Sequence, residues 1–266
     1  MCWACGATAD AVPDDSGYTR CSACDLRFYA RGEAPRDRYG REYFEHYRGG
    51  DYAVTEPVRR HEARVRVGLL SEVVETPGEL LELGSATGLF LDEARARGWR
   101  VRGIEPSAHA STIARERRGL DVREAFAEDV ELGEAVVDAI CAWHTLEHLV
   151  DPLPLMGRLH RALRPDGRLL LEVPNGASRM ARRQGSRWFP LEPDVHMAQW
   201  TPTALTAVLA RAGFRAVKVE TVPFLTYVPT ARRRLPRRLW LAMRQRAWVR
   251  DPHASAHELL RAVATR

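Results

Sequence analysis

Three groups of residues in this chain have types and spacings that could do chemistry. Cys2-Trp3-Ala4-Cys5-Gly6 and Cys21-Ser22-Ala23-Cys24 form two C-x-x-C knuckles separated by fifteen residues. Each tight knuckle presents two thiolates to one side of a turn, and four soft ligands at one point suit tetrahedral zinc. Four thiolates leave no open coordination position, so the expected role of Cys2, Cys5, Cys21 and Cys24 is structural. The second group is Trp143-His144-Thr145-Leu146-Glu147-His148, with His196 further on in Trp188-Phe189-Pro190-Leu191-Glu192-Pro193-Asp194-Val195-His196. Histidine at its ordinary pKa is the most convenient base near neutrality, and a carboxylate sits between two of these three. The third is Glu82-Leu83-Gly84-Ser85-Ala86-Thr87-Gly88, whose glycines let the backbone approach a ligand.

These residues need elements to position them. Leu80 to Leu83 is apolar and runs as a strand into the glycine-rich turn, followed by a helix from Leu89 to Arg97. A second strand, Val101 to Ile104, ends at Glu105, where a carboxylate can accept both hydroxyls of a ribose. A helix over Ala108–Arg118 and a short strand over Leu120–Arg123 lead to the loop Phe126-Ala127-Glu128-Asp129. A strand over Val136–Cys141, a helix over Leu153–Leu163 and a strand over Arg168–Val173 continue the alternation. Strands separated by helices of this length imply a parallel, doubly wound α/β sheet. A helix starting near Thr201-Pro202 and an antiparallel hairpin of Ala216–Val222 with Phe224–Val228 are expected to complete seven strands. Between the cysteine module and the sheet, Val58 to Val74 has helical periodicity with Val65, Leu69, Leu70 and Val73 on one face. It would lie over the substrate side, with Tyr39, Tyr43, Phe44, Tyr47 and Tyr52 as packing or cover residues.

The order E-L-G-S-A-T-G, I-E-P-S, A-E-D, D-A-I-x-A-x-H-T-L-E-H-L-x-D-P and L-R-P-D-G-R-L-L-L-E-V-P-N resembles the class I S-adenosylmethionine (SAM)-dependent methyltransferases, of the ubiquinone or methyltransferase-23 type. The likeness covers roughly Glu79 to Val222 and implies a Rossmann-like fold. It also implies that Glu82, Gly84, Ser85 and Gly88 line the methionine end of SAM, that Glu105 takes the ribose, and that Glu128 or Asp129 sits near the adenine. G-S-A-T-G departs from the commoner G-x-G-x-G by placing Ser85 and Ala86 where a second glycine is usual. Methyl transfer from a sulfonium needs an aligned acceptor and, where required, removal of its proton. Two readings of His144, Glu147, His148 and His196 follow. One is a general base for O- or C-methylation. The other is a site for a divalent metal, similar to the E-x-x-E-H cluster of metal-dependent RNA-terminal and ubiquinone-type O-methyltransferases, with His144 in place of the first glutamate. The thiol module beside this core also resembles the deoxysugar C-methyltransferases. Those carry a further large C-terminal domain that this chain does not reach, so a shorter relative is expected.

The implied organisation is a zinc ribbon over 1–33, a helical linker or lid over 34–78 and a methyltransferase domain over 79–229. A basic amphipathic helical tail over 230–266 follows. The expected reaction is methylation, preferably on oxygen, of a small hydroxylated metabolite, sugar or natural product; a sugar C-methyltransferase, an RNA methyltransferase and a non-catalytic SAM-binding module are the alternatives. The net charge is +5, but Lys218 is the only lysine, so the excess is an arginine bias and nucleic acid is not expected as a partner. Residues 232–250, rich in arginine with Trp240, Met243, Ala247 and Trp248 near one helical face, could contact a membrane surface or another subunit. Met1-Cys2-Trp3 does not open a signal peptide and no apolar run would span a bilayer, so a cytoplasmic location with reduced cysteines is expected.

Overall fold

A computed structural model of the chain describes residues 1–8, 12–13, 17–29, 36–46, 52–192, 194–223 and 257–266. Its N-terminal part holds three two-residue strands, β1 (Val12–Pro13), β2 (Thr19–Arg20) and β3 (Arg27–Phe28), in antiparallel register. Two helices follow, α1 (Arg41–His46) and the long α2 (Tyr52–Val73). The buried stripe of α2 is Ala63, Val67 and Leu70, spaced at four and three residues as an amphipathic helix requires. Of the face expected from the sequence only Leu70 is at its centre; Val65 and Val73 flank it, because the helix packs edge-on against two different apolar clusters.

The main sheet contains β4 (Glu79–Leu83), β5 (Arg100–Glu105), β6 (Asp121–Glu124), β7 (Val137–Trp143) and β8 (Leu163–Pro174), all mutually parallel. Helices α3 (Leu89–Arg95), α4 (Ala108–Arg118) and α5 (Leu153–Ala162) make the crossovers. The strands read apolar on both sides, as a doubly covered parallel sheet demands. Leu81, Leu83, Ile140, Ala142, Leu169 and Leu171 join the core with α5; Leu80, Ala139, Cys141, Trp143 and Leu170 join the one with α2 and α3. Beyond β8 come the short helix α6 (Arg179–Gln184), the two-residue strand β9 (Ala198–Gln199), helix α7 (Pro202–Arg211) and strand β10 (Arg215–Val222). Thr201 caps α7, its hydroxyl accepting from the Ala204 N–H at 3.1 Å with Pro202 in the first turn.

The last strand corrects an expectation. Residues Leu259–Thr265 form β11, a strand rather than the end of a helical tail. It lies between β8 and β10, antiparallel to both, and gives the sheet order β6-β5-β4-β7-β8-β11-β10. The physical reason is legible afterwards: Leu259-Leu260-Arg261-Ala262-Val263-Ala264 is a β-type apolar run whose one arginine finds a glutamate on each neighbour. Arg261 stands opposite Glu172 on β8 and Glu220 on β10 and pairs with them at 3.0 and 3.5 Å. The strand expected over Phe224–Val228 and the basic 232–250 segment lie outside the described residues. Among the described residues no helix is long and apolar enough to cross a membrane.

Candidate active site and thiol cluster

The four N-terminal cysteines converge, their sulfurs within 4.8 Å of one another. Cys2 and Cys24 are 3.8 Å apart and Cys5 and Cys21 are 3.7 Å apart, with no disulfide. A tetrahedron with zinc–sulfur bonds of about 2.3 Å has sulfur–sulfur edges of about 3.8 Å, so the spacing fits the metal. Both knuckles use the same turn. The N–H of Gly6 donates to Cys2 O at 2.8 Å, and that of Asp25 donates to Cys21 O at 2.9 Å. Gly6 and Asp25 have φ of +76° and +64°; the second of these was hidden in the sequence because aspartate, not glycine, adopts the left-handed turn. The Cys2–Cys24 contact lowers the Cys2 thiol and raises that of Cys24, so without a metal the pair shares one proton.

At the carboxyl edge of the sheet lies a cavity of about 690 Å³, a size typical of ligand sites. One end is built by β4 and β5. Glu105 is 4% exposed, and its two oxygens accept from the backbone N–H of Ala86 at 2.8 Å and Ser107 at 2.9 Å. Burial raises its carboxyl to about 7 in spite of these bonds. Glu82, 3% exposed, has its carboxyl raised well above the usual range by burial, and its Oε2 has no hydrogen-bond partner among the described residues. Ser85 Oγ is equally unpartnered. A cationic amino group with hydroxyl-bearing sugar nearby would satisfy both, so these residues fit SAM.

The expected cofactor residues do not all reach the cavity. Glu82, Gly84, Ser85, Glu105 and Glu128 line it, together with Phe126. Gly88 does not; it starts α3 at φ +81°, where a Cβ would meet Leu120 at 2.5 Å. Asp129 points to the surface and pairs with Arg36 at 2.5 Å. Arg36 also stacks over Phe126, so the segment before α1 closes on this end.

The other end gathers the histidines. Glu147 is 1% exposed, and the ligating atoms of Glu147, His148 and His196 lie within 4.8 Å of one another. His148 Nδ1 is 3.0 Å from Val195 O and His196 Nδ1 is 2.7 Å from Pro190 O. A carbonyl only accepts, so both Nδ1 atoms carry the proton. His144 lines the same cavity but is not one of these three converging ligands. It has φ +56°, bonds Glu147 Oε1 at 3.2 Å and lies 3.8 Å from Glu172 Oε1. Burial pushes the Glu147 carboxyl up, but His144 and the two other imidazoles outweigh it and hold it at about 2. Desolvation drops His148 to about 4, against the opposing pull of Glu147. Glu147 Oε2 has no hydrogen-bond partner among the described residues.

Tyr39 lines the cavity as a cover residue, as its sequence position suggested, whereas Thr145 and Arg66 were not singled out. Tyr39 packs edge-on against both Phe126 and His148 and so bridges the two ends; burial raises its phenol. Thr145, beside the histidines in sequence, donates to Leu83 O at 3.0 Å and crowds Gly84. Arg66 of α2 lies over the Trp143 ring and pairs with the buried Glu172 at 3.2 Å. Of the latter two only Thr145 had a signal, its place inside the H-T-L-E-H run; Arg66 and Glu172 meet across 106 residues.

A parallel sheet with its cavity at the carboxyl edge, an acidic residue ending the second strand and a glycine turn ending the first define a Rossmann-like cofactor-binding enzyme. A family profile described as a methyltransferase domain matches residues 58–219, more than half of the chain, and the protein belongs to this family of SAM-dependent methyltransferases. The chain is 29% identical over 137 residues to a probable S-adenosylmethionine-dependent methyltransferase of Mycolicibacterium smegmatis, covering 51% of each protein. It is 25% identical over 161 residues to C-methyltransferase NovU of Streptomyces niveus, covering 59% of this chain and 36% of the relative. The chain thus spans about half, or less, of the length of these two relatives. A solved SAM-dependent methyltransferase of Archaeoglobus fulgidus superposes with a TM-score of 0.60 at 18% identity, covering 81% of this chain and 99% of the other, which shows a shared fold.

Proposed function

We propose that the protein methylates a hydroxyl of a small hydroxylated metabolite, sugar or natural product, with His148 and His196 taking the hydroxyl proton. The observation that carries this reading is the donation of both Nδ1–H groups to backbone carbonyls. In the neutral ring that leaves the lone pair on Nε2, the tautomer a general base needs. SAM, when bound, supplies an electrophilic methyl group on a sulfonium. Glu82, Gly84 and Ser85 hold its amino-acid end, Glu105 the ribose, and Glu128 with Phe126 the base. Glu147, kept ionised beside the imidazoles, stabilises the positive charge that proton uptake creates. His144 positions Glu147. Tyr39 and Trp188 wall the acceptor end and keep water out.

The test is a methyl-transfer screen with labelled SAM against panels of phenols, hydroxylated metabolites and sugars. His148→Ala is expected to lower turnover by about a hundredfold or more with little change in SAM affinity. Turnover equal to that of the parent chain would dismiss the base. Product NMR then separates an O-methyl from the C-methyl that the likeness to NovU would suggest.

A second reading is favoured by the convergence of Glu147, His148 and His196 and by the unpartnered Glu147 Oε2. Two imidazoles and one carboxylate would hold a divalent ion softer than magnesium, which would acidify an acceptor hydroxyl. Chelation that strips this ion while sparing the thiol cluster is expected to abolish transfer; full activity afterwards rules the ion out. Zinc at Cys2, Cys5, Cys21 and Cys24 is part of the same proposal, and metal analysis should find one equivalent that resists mild chelation.

A further inference from the structure

The thiol module does not sit apart from the cavity. Its sheet is completed by β9, which pairs antiparallel with β3, Arg27 opposite Gln199 and Phe28 opposite Ala198. The N–H of Tyr29 donates to Met197 O at 3.1 Å, and the Thr201 hydroxyl donates to Cys24 O at 2.7 Å. Cys2, Ala4, Cys21, Cys24, Leu26 and Phe28 belong to the same apolar cluster as Trp200 and Leu205.

Between α6 and β9 the chain has little regular structure of its own: two single 3₁₀ turns, Gly185–Arg187 and Phe189–Leu191, then Glu192 at φ +29°. This strap carries Trp188 and His196 to the cavity. Within the strap the carbonyls of Gly185, Trp188, Pro190 and Glu192 accept from the strap itself, whereas those of Leu191 and His196 are reached from the module side. Tyr18, fully buried in the module, reaches both. Its hydroxyl lies 2.7 Å from His196 O and 3.1 Å from Leu191 O. Gln199 Nε2 donates to Leu191 O at 2.8 Å and to the Tyr18 oxygen at 3.3 Å, and the Tyr18 ring packs with Ala181, Trp188 and Leu191.

We infer that Tyr18 is a positioning residue for His196, through which the cysteine module sets the acceptor wall while leaving the cofactor end untouched. The inference rests on the proposed role of His196, and the residues proposed for the amino-acid and ribose ends of the cofactor lie outside the module: Glu82, Gly84, Ser85 and Glu105 sit on β4, β5 and the turn after β4. The module is therefore a brace for the strap that forms the acceptor wall.

The test uses the 266-residue chain prepared with zinc and two variants of it, Tyr18→Phe and Gln199→Leu. The readouts are zinc content, SAM affinity by calorimetry, and solvent exchange of the His196 Nδ1 proton by nitrogen-15 NMR, with His160 as a remote reference. Zinc and SAM affinity should match the parent chain. Exchange at His196 should accelerate about fivefold, the factor that one hydrogen bond sets, while His160 stays unchanged. Unaltered exchange at His196 in both variants, or equal loss of SAM affinity, would overturn the inference. Its failure is separable from failure of the proposed function. Faster exchange together with an active His196→Ala chain sinks the base and keeps the brace; unaltered exchange with an inactive His196→Ala chain does the reverse.

Discussion

At the residue scale the site turns on carboxylates placed in opposite environments. Glu147 is buried among imidazoles and stays ionised, whereas Glu105 and Glu82 are buried beside few cations and are pushed toward the neutral form. For Glu105 the sign of the consequence is clear. Ribose hydroxyls donate to a carboxylate, so binding favours the ionised form and lowers a pKa that stands at about 7 in the unbound chain. Affinity for SAM should hold steady above pH 7 and fall below it, approaching about tenfold per pH unit, with one proton released on binding in that window. Calorimetry in buffers of different ionisation enthalpy measures both effects. Glu105→Gln should bind more weakly and lose the pH dependence; a pH-independent parent chain would contradict the assignment.

At the element scale the turn after β4 separates two glycines that look equivalent in the sequence. Gly84, at φ +66°, faces the cavity, and a Cβ there would stand 2.5 Å from Thr145 Oγ1. Gly88 faces the body of the protein, and a Cβ would press on Leu120 and Ala114. Gly84→Ala should therefore weaken SAM binding by about tenfold through strain and displacement of Thr145. Gly88→Ala should instead cost about 1–3 kcal/mol of stability, with SAM affinity of the folded protein little changed. Thermal melts paired with SAM titrations distinguish the two, and a swap of the two phenotypes would reverse the assignment.

At the scale of the whole molecule the decisive event is the insertion of β11 between β8 and β10. It buries Arg261 against Glu172, a carboxylate that is fully buried and also paired with Arg66 and near His144. Removing one partner leaves a buried charge less compensated, which costs more than the pair contributes. Arg261→Met should destabilise the protein by about 2 kcal/mol, because Arg66 still serves Glu172. Adding Glu172→Gln should recover part of that loss in urea unfolding; strictly additive losses would show that the two groups are not coupled.

Much of this protein was legible in its sequence. The alternation from Leu80 to Val173 specified the parallel sheet because apolar strand runs and helical periodicity are local signals. The two C-x-x-C pairs, the glycine turn and the H-x-x-E-H run carry their chemistry within a few residues each. What stayed hidden depends on contacts between distant segments. Gly88 and Asp129 sit in the right motifs, but only the packing of α3 and the reach of Arg36 turn them from the cavity. His144 belongs to the run and lines the cavity, but it bonds to Glu147 instead of joining the three converging ligands. The strand at 259–265 was masked by the arginine-rich residues before it, and its place is decided by two glutamates on strands far away in the chain. Local sequence determined the elements and the chemistry they could carry. Tertiary packing alone decided which side chains meet, because hydrogen bonds and charge pairs form between whatever the folded sheet brings within reach.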